Sequence, residues 1–222
     1  MNAERNPVAF LFDVDNTLLD NDRGRHDLAE DIDRAVGSAV LGAVRGGQTR
    51  VRRPRLPARS RALHAAVRGR AGRPGPRRRV LAYPYRSAAF PGAHEVLRYV
   101  GTIARPGTLS DGDPVYQPAE IERAGIADEA AGRGFVVAAE EHHPDKIDRR
   151  LPAARYVRVD DQLRILAAAK ERLGDRVITP HLCQGCHAHA AEHHTFAPAD
   201  RSGDSIAGIL DLDLTTFLEN AR

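Results

Sequence analysis

The stretch AFLFDVDNTLLDND, residues Ala9 to Asp22, decides the fold of this chain of 222 residues. The apolar run from Val8 to Val14 has the length of a strand and is typical of a parallel strand buried on both faces. Asp13 and Asp15 stand where that strand should end. Alternate residues of an extended strand face opposite ways, so Asp15 reaches the side of Asp13 only if the chain turns there. We expect Asn16-Thr17 to supply the turn.

Strands and helices are predicted to alternate along the rest of the chain. Short apolar runs bounded by Gly, Pro or charge indicate strands, and apolar residues spaced by three or four indicate helices. The predicted strands are Gly107 to Asp113, which runs into a polar loop, Gly134 to Ala139, Tyr156 to Val159 and Arg176 to Thr179. The predicted helices are Ala93 to Ile103, 118–126 and one that carries Leu163, Leu166 and Ala167 on one face and ends at Gly174. The alternation predicts a doubly wound α/β fold, a parallel sheet with helices on both faces.

Polar residues follow several of these strands. Ligands of such folds bind beyond the carboxyl ends of the strands, so these residues should gather at one rim. Converging carboxylates raise one another's pKa unless a cation sits among them, and oxygen ligands of this kind suit Mg²⁺. The alternative is that Asp13 and Asp15 only cap a turn. The residues expected at the rim are Asp13, Asp15, Ser110, Asp111, Asp160 and Asp161.

Three stretches carry a resemblance to a known family. FDVDNTL, Phe12 to Leu18, resembles the first motif of the haloacid dehalogenase-like (HAD) hydrolase superfamily, an apolar strand followed by DxDxT. LSDGD, which contains Ser110, resembles the second motif, and YVRVDDQLRILAAAKERLGDRVIT resembles the fourth, an acidic pair at a strand end. The similarity covers Val8 to Asp20 and residues 91–218. It implies a HAD-like, Rossmann-like core.

The resemblance also implies a chemistry. Asp13 would be the nucleophile that attacks phosphorus and forms an aspartyl-phosphate, and Asp15 would protonate the leaving oxygen and then activate water. Mg²⁺ would be held by Asp13, by the Asp15 carbonyl and by Asp160 or Asp161. An acid at the second position favours phosphoryl transfer over dehalogenation in this superfamily. The implied substrate is a small phosphate ester.

The phosphoryl group would be bound by Ser110 and Asp111 and by a cation from the family's third motif. Lys146 is the candidate for that cation, and it lies closer to the acidic pair than the family's spacing usually puts it. The alternatives for this cation are His142, His143 and Arg149. In another interpretation Lys146 is a solvated charge without a role in the site.

The chain between the first two motifs has an unusual composition. No Asp, Glu or Lys occurs between Arg34 and His94, and Arg50 to Arg79 is built almost wholly from Arg, Ala, Gly, Pro and Leu. One interpretation is an arm that binds nucleic acid or another polyanion, although no aromatic residue is present there to stack on bases. The others are a solvated linker and an off-frame reading of a GC-rich gene.

This composition sets the predicted division into domains. Residues 1–20 and 86–222 form the HAD-like core, and residues 21–85 are an insert at the position of the family's cap that is reduced or poorly ordered. Without a cap the site would be open to water, which weakens electrostatic catalysis. Two hypotheses follow: a Mg²⁺-dependent phosphatase acting through Asp13, and a non-catalytic or decayed HAD-fold protein that binds polyanions through its Arg-rich segment.

The remaining features are weaker signals. CQGCH, from Cys183, has the spacing of haem attachment or of part of a zinc site, and a solvated loop is the preferred interpretation. The chain has neither a signal peptide nor a run of about eighteen apolar residues, which predicts a cytoplasmic protein with no membrane partner. The C-terminal segment is expected to dock four apolar residues on the core: Ile206, Ile209, Leu210 and Leu214.

Overall fold

A computed structural model describes residues 8–36, 83–110, 113–136, 151–186 and 195–211. Its strands are Val8–Phe12 (β1), Arg105–Ser110 (β2), Gly134–Val136 (β3), Arg155–Val159 (β4), Val177–Ile178 (β5), Pro180–Leu182 (β6) and Arg201–Gly203 (β7). Its α-helices are Asn21–Val36 (α1), Ala93–Ile103 (α2), Gln117–Arg123 (α3), Ile126–Glu129 (α4) and Leu163–Leu173 (α5). Three 3₁₀ helices cover Tyr85–Ala88, Gly174–Arg176 and Ile206–Asp211.

Five of the strands form a parallel sheet in the order β3-β2-β1-β4-β5. The chain runs from β1 outward through β2 to β3 and then returns to the other side of β1 for β4 and β5. Crossovers in parallel sheets are almost always right-handed, so this reversal places the connecting helices on both faces. The predicted doubly wound α/β fold is confirmed. The reversal lies between β1 and β4, and such switch points are where these folds bind ligands.

Strand β1 lies at the centre of the sheet because its sequence leaves no face for water. All five residues, VAFLF, are buried. Leu11 and Ala9 belong to a core cluster with Tyr156 of β4, and the rings of Phe10 and Phe12 stack with their centroids 6.0 Å apart. Each large apolar side chain buried in this way contributes about 1.5–3 kcal/mol. Because β1 is buried along its whole length, its position in the sheet also fixes the position of the next residue, Asp13.

Two of the predicted helices, α2 and α5, are present in the structure. Helix α2 spans the predicted residues and buries Val96, Leu97 and Val100. Helix α5 buries Ile165, Leu166 and Ala169, whereas Leu163 and Ala167, expected on the same face as Leu166, are half-buried. The chain enters α5 through a turn in which the Gln162 amide donates to Asp160 Oδ1 at 2.9 Å.

A second, smaller sheet follows β5 that the sequence did not predict. Strands β6 and β7 pair in parallel, and β6 continues beside the end of β4 through an isolated bridge between Asp160 and His181. The last 3₁₀ helix buries Ile206 and Ile209 as expected, but Leu210 is 44% exposed. A 3₁₀ helix repeats every three residues, so residue 210 points away from the side that residues 206 and 209 share. Leu214 lies outside the described residues.

The chain divides into two compact units, Met1–Asp22 with Tyr85–Arg222, and Arg23–Pro84. In the second unit the structure describes the remainder of α1 and residues 83–84. There the Tyr83 hydroxyl donates to the Asp27 carboxylate at 2.8 Å. Most of the predicted insert, including the tract from Arg50 to Arg79, lies outside the described residues. No described helix has the length and apolar character to cross a membrane.

Candidate active site

The turn after β1 has the form that the sequence predicts. The Asp13 amide still donates to Val159 on β4 at 2.9 Å, so the sheet ladder reaches this residue. Beyond it the Val14 carbonyl accepts from the amides of Leu18 and Leu19 at 3.0 and 2.9 Å. Asn16 takes the left-handed conformation, with φ of 59°, which Asn tolerates better than most residues. The chain therefore reverses just after Asp13.

Three carboxylates meet at the switch point of the sheet. Asp13 follows β1, and Asp160 and Asp161 follow the neighbouring strand β4. One oxygen from each lies within 4.8 Å of the others, and all three residues are buried. The carboxyl ends of adjacent parallel strands meet at the same edge, and this is why residues almost 150 positions apart become neighbours.

Burial and mutual repulsion dominate the electrostatics of this carboxylate cluster. Burial raises the pKa of Asp13 well above its usual value, and the charge of Asp160 adds to the rise while Arg158 opposes it. Burial, followed by the charge of Asp160, raises the pKa of Asp161 to about 8. Asp13 Oδ2 and both carboxylate oxygens of Asp161 are buried without a hydrogen-bond partner in the described part of the chain.

The donor set fits a hard divalent cation. The carboxylates converge within a few ångströms, and oxygens of Asp13 and Asp161 lack hydrogen-bond donors, as suits the ligands that such ions take. A cation among Asp13, Asp160 and Asp161 would favour the ionised forms of these groups, because its charge offsets their repulsion. Among the described residues, this is the one group of three or more acidic, histidine or cysteine side chains placed to hold a metal.

Arg158 is a residue of the site that sequence reasoning missed. It lies inside β4 and is 2% exposed. Its Nη2 donates to Asp160 Oδ2 at 2.6 Å, and its Nη1 donates to the Leu109 carbonyl on β2 at 3.0 Å. The side chain therefore spans from β4 past β1 to β2 and brings an internal positive charge to the carboxylate cluster. Its position two residues before Asp160, on the same side of an extended strand, was the available signal.

Asp15 has a different neighbour. The Gln117 Nε2 donates to Asp15 Oδ1 at 2.7 Å. Gln117 begins α3 and is buried, whereas Asp15 is half-buried. The two side chains meet over a separation of 102 residues. Nothing in the sequence around Gln117 points to this pairing.

The predicted phosphate-binding residues are only partly described. Ser110 is buried at the end of β2, which lies next to β1, so it stands at the same edge of the sheet as Asp13. The remaining candidates lie outside the described residues, and their roles stay predictions: Asp111, His142, His143, Lys146 and Arg149.

The CxxC turn braces the loop after β1. Gln184 is buried, and its Nε2 donates to the carbonyls of Thr17 and Asn16 at 2.7 and 3.2 Å. Its Oε1 accepts from the Ile206 amide at 2.8 Å. The Cys186 thiol is exposed and accepts from Asn16 Nδ2 at 3.5 Å. The preferred interpretation of a solvated loop therefore does not hold for Gln184, and the rest of the His-rich stretch, 187–194, lies outside the described residues.

Comparison with solved structures identifies the family. A haloacid dehalogenase-like hydrolase from Burkholderia xenovorans LB400 is 34% identical, with a TM-score of 0.77, over 94% of this chain and 97% of its own. The chain belongs to the haloacid dehalogenase-like hydrolases. The family predicted from FDVDNTL and the acidic pair is confirmed, and with it a hydrolase of this class.

Other HAD-like structures share the fold at lower identity. CbbY from Rhodobacter sphaeroides, solved in complex with phosphate, is 21% identical with a TM-score of 0.57, over 93% of this chain and 96% of its own. L-2-haloacid dehalogenase from Xanthobacter autotrophicus is 16% identical with a TM-score of 0.54, over 92% of this chain and 97% of its own. No protein-family model matches the chain, and no curated protein matches it.

Proposed function

We propose that this HAD-like hydrolase is a Mg²⁺-dependent phosphatase that cleaves small phosphate esters through an aspartyl-phosphate on Asp13. An unpartnered carboxylate oxygen at the switch point supports Asp13 as the nucleophile. That oxygen would form a bond to phosphorus while the bond from phosphorus to the ester oxygen breaks. Water would then attack the phosphoryl group, releasing phosphate and restoring the carboxylate.

The carboxylate of Asp15 favours a phosphate ester over an organic halide as the substrate. An alkoxide is a poor leaving group and needs a proton, whereas a halide leaves as a stable anion. Asp15 lies two residues after Asp13, and the chain turns at the next residue, Asn16. In the proposed reaction Asp15 gives its proton to the leaving oxygen and then takes one from the attacking water. A dehalogenase would have no use for the first of these transfers.

The carboxylate cluster supports the dependence on Mg²⁺. Burial and the charge of Asp160 raise the pKa of Asp13, which disfavours its ionised, nucleophilic form in the metal-free protein. When bound, Mg²⁺ would be held by Asp13 with Asp160 or Asp161, and it would stabilise the ionised carboxylates and screen the charge of the phosphoryl group. Arg158 is engaged by Asp160 and by the Leu109 carbonyl, and its proposed role is to balance charge within the protein.

Ser110 is proposed to donate its hydroxyl to a phosphoryl oxygen from the end of β2. Its burial at the rim of the sheet suits a contact with a substrate group that has left water. Lys146, with Asp111 beside Ser110 in sequence, keeps its proposed role in binding the phosphoryl group.

The experiment that tests this function is the hydrolysis of p-nitrophenyl phosphate by purified protein, with Mg²⁺ and with EDTA. We expect Mg²⁺-dependent phosphate release that Asp13→Asn lowers by at least about 10³-fold, because the substitution removes the nucleophile. Asp175→Asn is the matched control, since Asp175 is exposed in the turn after α5. Release that survives Asp13→Asn, or halide release from 2-chloropropionate in place of phosphate release, would contradict the proposal.

A further inference from the structure

Gln117 carries a buried amide that reaches Asp15 from a distant part of the chain. Only 3% of its surface is exposed. Its Nε2 donates to Asp15 Oδ1 at 2.7 Å, a short distance for a hydrogen bond of this kind. Burying an amide side chain without a hydrogen-bond partner costs free energy. The bond to Asp15 offsets that cost for Gln117.

The backbone of Gln117 is held independently of Asp15. Its amide donates to the Asp113 carbonyl at 2.9 Å, and the Asp113 side chain accepts from the amides of Val115 and Tyr116 at 2.8 and 3.2 Å. Helix α3 begins at Gln117 with a proline in its first turn and buries Ile121. The side-chain amide of Gln117 is therefore held by a helix start that has its own backbone hydrogen bonds.

We propose that Gln117 is a positioning residue, one that fixes the rotation of the Asp15 carboxylate for proton transfer to and from the phosphate ester. The inference rests on the proposed phosphatase function, because it assigns Asp15 the role of acid and base. An amide N–H can donate to an ionised carboxylate and, more weakly, to the carbonyl oxygen of a carboxylic acid. The bond to Oδ1 therefore persists in both halves of the reaction, with the transferred proton carried on Oδ2.

A positioning role predicts a loss that depends on the leaving group. An ester of an acidic phenol needs little proton donation, whereas an alkyl ester needs a well-aligned acid. For Gln117→Met, which keeps the length of the side chain and removes the donor, we expect kcat for an alkyl phosphate to fall by about 10- to 100-fold. For p-nitrophenyl phosphate kcat should fall by less than about threefold, and KM should stay within about twofold for both substrates.

The test is a double-mutant cycle in the full-length protein with both substrates, at saturating Mg²⁺. If Gln117 acts through Asp15, adding Gln117→Met to Asp15→Asn lowers kcat no further. Glu122→Gln is the matched control, because Glu122 is exposed on the same helix. If Gln117→Met does not fold by circular dichroism, Gln117→Glu takes its place, since it keeps the shape and replaces the donor with a repelling carboxylate.

The outcomes separate this inference from the proposed function. Equal losses for both substrates, no loss for either, or an additive loss in the double variant would overturn the positioning role while leaving the phosphatase intact. Absence of phosphate release by the wild-type protein would overturn both. A loss confined to the poor leaving group and absent on the Asp15→Asn background would establish it.

Discussion

Two pairs of aspartates stand at the ends of neighbouring strands, and the protein treats them differently. Only Val14 lies between Asp13 and Asp15, yet Asp13 belongs to the carboxylate cluster while Asp15 accepts from the side-chain amide of Gln117. Asp160 and Asp161 are adjacent, and both belong to the carboxylate cluster. Asp160 is balanced by the buried guanidinium of Arg158, while both oxygens of Asp161 lack a hydrogen-bond partner in the described structure.

The four aspartates are identical side chains, and their neighbours make their surroundings differ. Asp160 accepts from the guanidinium of Arg158. Burial without a donor raises the pKa of Asp161 to about 8. Asp15 accepts from the neutral amide of Gln117. Each of these assignments can be broken by changing the neighbour.

The largest expected effect comes from removing the charge next to Asp160. Arg158→Met should destabilise the protein by about 3–5 kcal/mol, because it leaves a buried carboxylate without its cation and the Leu109 carbonyl without its donor. Urea denaturation measures the change. Arg164→Met, an exposed arginine on α5, should change the free energy of unfolding by less than about 0.5 kcal/mol.

Combining Arg158→Met with Asp160→Asn sharpens the result. If Arg158→Met lowers stability because Asp160 is left as an unpaired charge, the double variant should be more stable than the sum of the two single losses predicts. Additive losses would show that Arg158 acts through packing alone.

An intermediate effect concerns Asp161 and pH. Its folded-state pKa, about 8, lies above the ordinary value of 3.8, so the folded protein holds a proton that the unfolded chain releases between these values. The contribution of Asp161 to the stability of the metal-free protein should therefore be greatest below pH 4. It should decrease by up to about 1.4 kcal/mol for each unit of pH and level off above about pH 8. Asp161→Asn should reduce that slope, whereas Asp175→Asn should not.

Thermal unfolding with and without Mg²⁺ at pH 8 provides a second arm. A cation bound to the carboxylate cluster stabilises the folded state by about 2.7 kcal/mol at a concentration a hundred times its dissociation constant. We expect the wild-type melting temperature to rise and the rise to shrink in Asp161→Asn. A pH slope unchanged by Asp161→Asn would contradict the assignment of this group.

The turn at Asn16, just after Asp15, can be tested through Gly185. A Cβ at Gly185 would lie 2.6 Å from Asn16 Cβ, and Gly185 has a φ of +74°. Gly185→Ala should therefore combine backbone strain with a displaced turn. Gly132→Ala is the control, because Gly132 has a φ of +69° and a Cβ added there would meet nothing within 4 Å.

The two glycine variants separate strain from collision. Gly132→Ala should cost about 1–2 kcal/mol, and Gly185→Ala should cost about 1–3 kcal/mol more and lower kcat as well. Denaturation in urea gives the first quantity, and phosphatase assays give the second. Equal losses of stability with unchanged kcat would show that Gly185 does not support the turn.

The sequence predicted what depends on local pattern. The apolar run before Asp13 identifies a buried strand without knowledge of its partners, and the rule that strand ends converge brings Asp160 and Asp161 to it. The third predicted strand end, Ser110, lies on the adjacent strand for the same reason. The fold and the carboxylate cluster both follow from these signals.

The residues that were missed depend on partners distant in the sequence. Arg158 interrupts an apolar strand, and its second partner is a carbonyl on β2, which only the strand order reveals. Gln117 meets Asp15 across 102 residues, with no periodicity to announce it. Leu210 was expected to dock on the core but is exposed, because the segment is a 3₁₀ helix whose period of three residues buries Ile206 and Ile209.

The central place of β1 has a consequence for how the protein is made. In the described sheet β1 pairs with β2, which begins at Arg105, and with β4, which begins at Arg155. Gln184, which secures the turn after β1, is synthesised later still. During synthesis β1, whose residues are all apolar, therefore has neither of these partner strands until Arg105 and the residues after it are made, and such unpaired strands are prone to aggregate. The segment that leads into Asp13 is thus exposed to misassociation while the chain grows, and we expect its folding to depend on chaperones.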